Sequence, residues 1–276
     1  MSAATRRTDL LSEEQLAQYH ADGYVRLGQV ATDEGFEALM RRTDDITQGR
    51  VRHDGMWFQL DLGGDEYKLG PGGRFAGPSD EYRKIEGWER DPVYLAYTQH
   101  PVFQDVTNEL IGDSVSTYRC MFMNKPPHKG TVLPYHQDGG EGWGLSSVDG
   151  ADFVTIWTAI DPATEANGCV EAVPGSHKLG LLSRRGHVVS EEHKREHVED
   201  HPSVFLELNA GEVVVLHNLL LHRSGVNGSD IARRGYSVCY MDGAIHRTAD
   251  PDRKPFPMIF GSDALSVADA EARMSA

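Results

Sequence analysis

Long apolar runs are missing from this sequence. None approaches the about 18 apolar residues that a membrane-spanning helix needs, so no span is expected. Cysteine is scarce: Cys120, Cys169 and Cys239 are the only three, far apart and odd in number. That argues against a disulfide framework and for reduced thiols in a core. Positive charge is short, with 27 Lys and Arg against 42 Asp and Glu, a net charge of −15. Such a surface repels nucleic acid and anionic membranes, so neither is expected as a partner. The opening MSAATRRTDLLSEEQ holds two arginines but no apolar core. No secretory signal is therefore expected, and the cytoplasm is the expected location. No repeat, linker or low-complexity tract divides the chain, which reads as one domain over 1–276.

What is present is helical first and strand-like later. Ser12 and Gln15 have capping-box spacing, which predicts a helix over about 13–21, a turn at Asp22-Gly23 and a short strand YVRL. A second helix is predicted from Thr32 to Gln48. Residues 49–80 read as loops and short strands, and 91–112 as helix interrupted near Pro101. From Val115 onward, strands are predicted at 115–124, 152–160, 169–177, 203–208, 211–218 and 235–243, separated by Gly, Pro, Asn and Asp. The residues after about 262 look loosely held. Helices before many strands, without βαβ alternation, indicate an α+β, mainly β fold with an antiparallel barrel or sandwich. Helical support would occupy about 10–112 and the barrel core about 115–245.

The stretch PYHQDGGEGWG places His136 and Asp138 two residues apart. In extended chain such side chains point the same way, with Cα atoms about 6.6 Å apart. His222 ends an apolar run before a Ser-Gly-x-Asn turn, where it would lie at a barrel rim. His217, inside the strand, reads as a core histidine or one supporting the ligands. Two histidines and one carboxylate form the facial triad of non-haem Fe(II) oxygenases, leaving three adjacent metal positions for a bidentate 2-oxo acid and O2. Zinc accepts the same ligands but is redox-silent. A 2-oxo diacid also needs a cation for its far carboxylate. Arg233, 11 residues after His222, offers a planar fork, and Ser224 a hydroxyl. Arg234, with the opposite orientation, should face solvent.

These residues, with SEEQLAQYHADGYVRL, MNKPP (123–127) and WTAIDPATEANGCVEAVPGSHKLG (157–180), follow the order of the phytanoyl-CoA dioxygenase family, which most of the chain resembles. The resemblance implies a double-stranded β-helix, a cupin-like jelly-roll barrel buttressed by N-terminal and central helices. It implies an enzyme using Fe(II), 2-oxoglutarate and O2, with ascorbate as a stimulant. It adds Gln137, Trp157, Lys84, Met121 and Asn124 as residues lining the 2-oxoglutarate or substrate pocket. Some relatives halogenate after a small residue replaces the metal carboxylate; Asp138 argues against that here.

The expected reaction is hydroxylation of a small metabolite, as in bacterial secondary-metabolite or antibiotic biosynthesis, releasing succinate and CO2. Epimerisation, cyclisation and ketone formation are alternatives within the family. Outside it stand a zinc or manganese isomerase or hydrolase and a non-enzymatic metabolite-binding barrel. Residues 53–83 and a lid at 178–203 should shape the substrate. Their polarity favours a small polar or cationic molecule, such as an aminoglycoside-like sugar, over an acyl-CoA. A monomer or homodimer is expected. His193 and His197 read as a solvated helix face, His177 as a packing or turn residue, and GPGG (70–73) as a turn rather than a phosphate loop. Trp57, Phe58 and Trp143 suit a pocket and a core equally.

Overall fold

The computed structural model describes residues 11–64, 66–139, 143–147, 153–183 and 188–274. Residues 1–10, Asp152 and 184–187 of the expected lid lie outside that set. In chain order the elements are α1 (Glu13–Asp22), β1 (Tyr24–Gln29), α2 (Asp33–Thr47), β2 (Trp57–Leu60), β3 (Gly72–Gly73), β4 (Tyr82–Glu86), α3 (Pro92–Thr98), α4 (Pro101–Leu110), β5 (Val115–Lys125) and β6 (Leu133–His136). There follow β7 (Phe153–Ala159), β8 (Val170–Ala172), β9 (Val204–Leu206), β10 (Glu212–His217), β11 (His222–Ser224), β12 (Arg233–Asp242), β13 (Met258–Phe260) and α6 (Val267–Met274).

Local chemistry explains the helix boundaries. Ser12 and Gln15 form the reciprocal capping box, and Gly23 ends α1 in the left-handed conformation at φ 81°. Thr32 caps α2, and Asp91 caps α3 through both Val93 N and Tyr94 N. Pro92 and Pro101 each open a helix, where a missing N–H costs nothing.

Strands β5 to β12 divide between two facing antiparallel sheets, the chain crossing from one to the other at every connection except β8 to β9. One sheet runs β10-β7-β12-β5 and the other β6-β11-β8-β9. Consecutive strands crossing between sheets in this way make a double-stranded β-helix. The larger sheet is extended by β1 beside β10 and by β4, β2 and β3 beyond β5, and β13 also pairs with β5. No helix among the described residues is long and apolar enough to cross a membrane.

Strand parity divides the large sheet. Phe122, Ile156, Tyr236, Val238 and Tyr240 pack outward with Leu39, Ile46, Trp88, Tyr94, Leu95 and Phe103 of the helical layer. Their neighbours, including Met121, Thr155, Trp157, Arg233 and Ser237, face the barrel interior. β7 is buried at every position because both faces are covered. All three cysteines are buried and free.

Trp88 is the largest fully buried side chain, stacked on Phe122 at 5.4 Å and edge-on to Tyr94 at 4.3 Å. Trp88→Ala should cost about 3–5 kcal/mol in chemical denaturation. Trp88→Phe should cost much less, because the indole Nε1 has no hydrogen-bond partner to lose.

The C-terminal segment departs from expectation. Residues 267–274 form α6, whose Ala270 is fully buried against the helical layer and whose Met274 sulfur accepts from Arg42. Its small apolar residues are a docking face rather than a sign of loose chain.

Candidate metal centre and cavity

His136 closes β6 and His222 opens β11, and the two are direct cross-strand partners. Their rings lie 4.0 Å apart, centroid to centroid. Each imidazole is braced identically: His136 Nδ1 donates to Pro134 O and His222 Nδ1 to Leu220 O, both at 2.9 Å. A carbonyl can only accept, so Nδ1 carries a proton and Nε2 is the ring atom left to serve as a metal donor. Those Nε2 atoms face one carboxylate, with His136 Nε2 3.6 Å from Asp138 Oδ1 and His222 Nε2 3.6 Å from Oδ2. One donor atom from each residue lies within 4.8 Å of the others, and all three residues are buried.

Asp138 is fixed through its backbone. Its N–H donates to Asn218 O at 2.8 Å, and Asn218 Nδ2 returns a bond to Asp138 O at 3.2 Å. Thr155 Oγ1 lies 3.3 Å from Asp138 Oδ2 and 3.0 Å from Asn218 Oδ1. Two neutral imidazoles and a carboxylate in this arrangement fit a divalent transition ion and leave one side of it toward the cavity.

That cavity has a volume of about 250 Å3, at the small end for a ligand site. Met121, Trp157, Lys84, Ser224 and Arg233 line it. Arg233 lies on β12, its guanidinium 5.6 Å from the Trp157 ring, and only 4% of it is exposed. Burial pulls its pKa down to about 10, so it stays charged at neutral pH. Its Nε is buried without a hydrogen-bond partner. Gly235 makes the indole position accessible, since a Cβ there would meet Trp157 Cζ2 at 2.1 Å. Lys84 is paired with Glu86 at 2.6 Å.

Two expected pocket residues are elsewhere. Gln137 is fully buried and works as a clamp: Nε2 donates to Gly180 O and Leu219 O, while Oε1 accepts from Leu182 N and Ser183 N. It ties the start of the 178–203 segment to the turn before His222. Asn124 has the wrong parity. It pairs with Arg234, donates to Asp80 O and Tyr82 O, and lines only a small neighbouring space that it shares with Arg83, Ser224 and Arg233. Arg234, expected in solvent, is half-buried in a two-pronged ion pair with Asp161 at 2.8 Å and a further bond to Asp44 at 2.7 Å.

The described parts of the 178–203 segment run beside β6. Val188 bridges His136, and Val189 N donates to Tyr135 O. Helix α5 (Glu191–His197) buries none of its residues fully, but His193 and His197 are half-buried rather than solvated, and with Glu196 they bring one donor atom each within 4.8 Å of the others.

Sequence reading missed Arg83 and Arg119, which line the cavity. Among its described lining residues Arg83, Lys84, Arg119, Arg223 and Arg233 are basic and only Asp138 is acidic. A cationic substrate would meet like charge here, against that expectation. Arg119 was within reach of simple alternation, two residues before Met121 on the same strand.

His217 lies on the outward face, its ring 4.9 Å from His177 and 5.8 Å from Tyr19. Burial, then the neighbouring His177 and His20, push its pKa down to about 4. The unfolded chain therefore binds this proton more readily. Its contribution to stability is complete above about pH 6.5 and is lost as pH falls toward 4. Urea midpoints for His217→Gln should show a shallower acid loss than the parent protein.

A candidate metal triad at the rim of a double-stranded β-helix, with a buried arginine lining the same cavity, is the arrangement expected of a mononuclear non-haem oxygenase site. Comparison with known proteins agrees. The family model "Phytanoyl-CoA dioxygenase (PhyH)" matches residues 19–235, and the chain belongs to that family of Fe(II)- and 2-oxoglutarate-dependent oxygenases. A probable phytanoyl-CoA dioxygenase of Caenorhabditis elegans is 29% identical over 88% of this chain and 79% of its own length. The Arabidopsis thaliana phytanoyl-CoA dioxygenase is 26% identical over 84% and 89%. Among solved structures, the α-ketoglutarate-dependent carbocyclase SnoK from nogalamycin biosynthesis superposes with a TM-score of 0.67 at 23% identity, covering 88% of each chain. EctD from S. alaskensis with 2-oxoglutarate and 5-hydroxyectoine gives 0.69 at 19% identity, covering 96% of this chain and 89% of its own. At those identities the likeness is one of fold.

Proposed function

We propose that His136, Asp138 and His222 hold the Fe(II), that Arg233 and Ser224 hold the far carboxylate of 2-oxoglutarate, and that the enzyme hydroxylates a small polar metabolite. One observation carries this reading. Both imidazoles are braced at Nδ1 by their own backbone, so that both Nε2 atoms address a single buried carboxylate.

Bound iron with 2-oxoglutarate and O2 supplies oxidative decarboxylation to succinate and CO2, coupled to insertion of one oxygen atom into a substrate C–H bond. The protein's share is placement. The two histidines and Asp138 supply three donors from one side. Arg233 offers a buried two-pronged contact, and Ser224, also buried on β11, adds a hydroxyl. Trp157 and Met121 exclude water between these ends. Asp138 occupies the position that halogenating relatives leave to a small residue, which favours hydroxylation.

Succinate formation by the Fe(II)-loaded protein, with and without O2, tests the reading. O2-dependent succinate that requires both Fe(II) and 2-oxoglutarate is expected. Failure of 2-oxoglutarate to bind the Fe(II) protein would overturn it.

A further inference from the structure

Arg83 owes its place to an irregularity in the sheet. Gln59 pairs with Lys84 and Leu60 with Tyr82, so Arg83 is the extra residue on β4. A bulge of this kind re-aims the side chain it carries. In a regular strand Arg83 and Lys84 would face opposite ways, yet both line the cavity. Arg83 is 7% exposed and donates to the neutral Gln59 Oε1 at 3.0 Å. Among the described residues no carboxylate lies within ion-pair distance of it.

Arg119 reaches the same space from β5. Its guanidinium lies 4.2 Å from the Trp143 ring and 5.0 Å from Tyr118, and its Nε is buried without a partner. Its nearest carboxylate oxygen is Asp138 Oδ1, at 3.6 Å. That carboxylate is a metal donor in the reading above, so the ion competes with Arg119 for it. Tyr67, another lining residue, feels both Arg83 and Arg119.

The charges around the cavity do not cancel. Lys84 and Arg223 have Glu86 and Glu171 at 2.6 Å. Among the described residues Arg83, Arg119 and Arg233 are set against Asp61 and Asp138, an excess of one positive charge, while burial holds the Lys125 ammonium well below its usual pKa. A divalent ion raises the excess, and the dianion 2-oxoglutarate lowers it again by the same amount. A positive charge remains in a desolvated space, an unfavourable state that an anion relieves.

We infer that the prime substrate is itself an anion, its carboxylate or phosphate held between Arg83 and Arg119 with the bond to be oxidised turned toward His136, Asp138 and His222. The inference rests on the proposed function and adds the substrate's charge to it. Two guanidinium forks lining one cavity select planar or tetrahedral oxyanions and repel amines.

The test uses four probes with one ring and different heads: benzoate, phenyl phosphate, benzamide and benzylamine. Each is titrated calorimetrically into anaerobic Fe(II) protein saturated with 2-oxoglutarate. Benzoate or phenyl phosphate should bind, the tighter of the two identifying the preferred head, and the amide and amine should not. Arg119→Met and Arg83→Met should each weaken anion binding about tenfold or more, by a larger factor than they weaken 2-oxoglutarate. Arg119→Lys and Arg83→Lys, which keep the charge, should recover part of the affinity and guard against a misfolded methionine variant. No anion binding beside bound 2-oxoglutarate, equal binding of benzamide or benzylamine, or undiminished binding by the methionine variants would overturn the inference. If 2-oxoglutarate itself fails to bind, the oxygenase reading falls and this one with it.

Discussion

Asp138→Ala should lower O2-dependent succinate formation about 100-fold or more, since even outer partners of a metal site are worth about 10–100-fold. The carboxylate is the one negative donor between two neutral imidazoles, and it spans them, with an oxygen 3.6 Å from each Nε2. Without it the ion loses a third of its protein donors and all of their charge. Arg119, 3.6 Å from Asp138 Oδ1, then stands uncompensated beside the ion. Iron affinity should fall with turnover, so the comparison is made at saturating Fe(II), with metal content measured on the same sample. Fold should survive, because the backbone bonds between residues 138 and 218 do not involve the lost carboxylate. Asp138→Ala with undiminished succinate would remove residue 138 from the metal.

Arg233→Met should weaken 2-oxoglutarate by an amount equivalent to about 2–5 kcal/mol while Fe(II) binding persists. The guanidinium is buried, has an unpartnered Nε, and has its pKa drawn down to about 10. In the free protein such a cation is a burden, since desolvation is not offset by a paired carboxylate. The variant without ligand should therefore melt no lower than the parent. The parent should gain thermal stability from 2-oxoglutarate, and the variant should gain little at the same concentration. That crossed pattern separates a ligand anchor from a structural arginine: a structural residue would lower the melting temperature in both conditions. An unchanged 2-oxoglutarate affinity would take Arg233 out of its role.

Much of this architecture is legible in the order of residues. Capping residues mark α1 and α2, and apolar strands stand out even where, as in β7, burial on both faces erases alternation. The candidate donor set, which the fold brings together, is suggested by the two-residue spacing of His136 and Asp138 and the rim position of His222. β6 is harder to read because it is four residues long and contains Pro134, which ordinarily marks an edge or a break. β11 is only three residues, too short for a pattern. Asn124 could have been rejected on parity, being three residues from Met121 on one strand. The same parity points to Arg119 and Met123 as cavity residues. Arg83 is different in kind. Its direction depends on a register slip against β2, a relation between two strands that neither segment encodes alone. Gln137 likewise takes its partners from residues 180–183 and 219, which only the fold brings near.

The proposed metal centre and the proposed substrate-facing wall belong to different parts of the barrel. The histidines sit on β6 and β11, held by main-chain carbonyls, whereas Arg83 and Lys84 come from a strand appended beyond β5 on the opposite sheet. Changes along that appended strand can retune which molecule is admitted without disturbing any metal donor. Descendants of such a chain are thus free to acquire new chemistries of recognition around an unaltered oxidant.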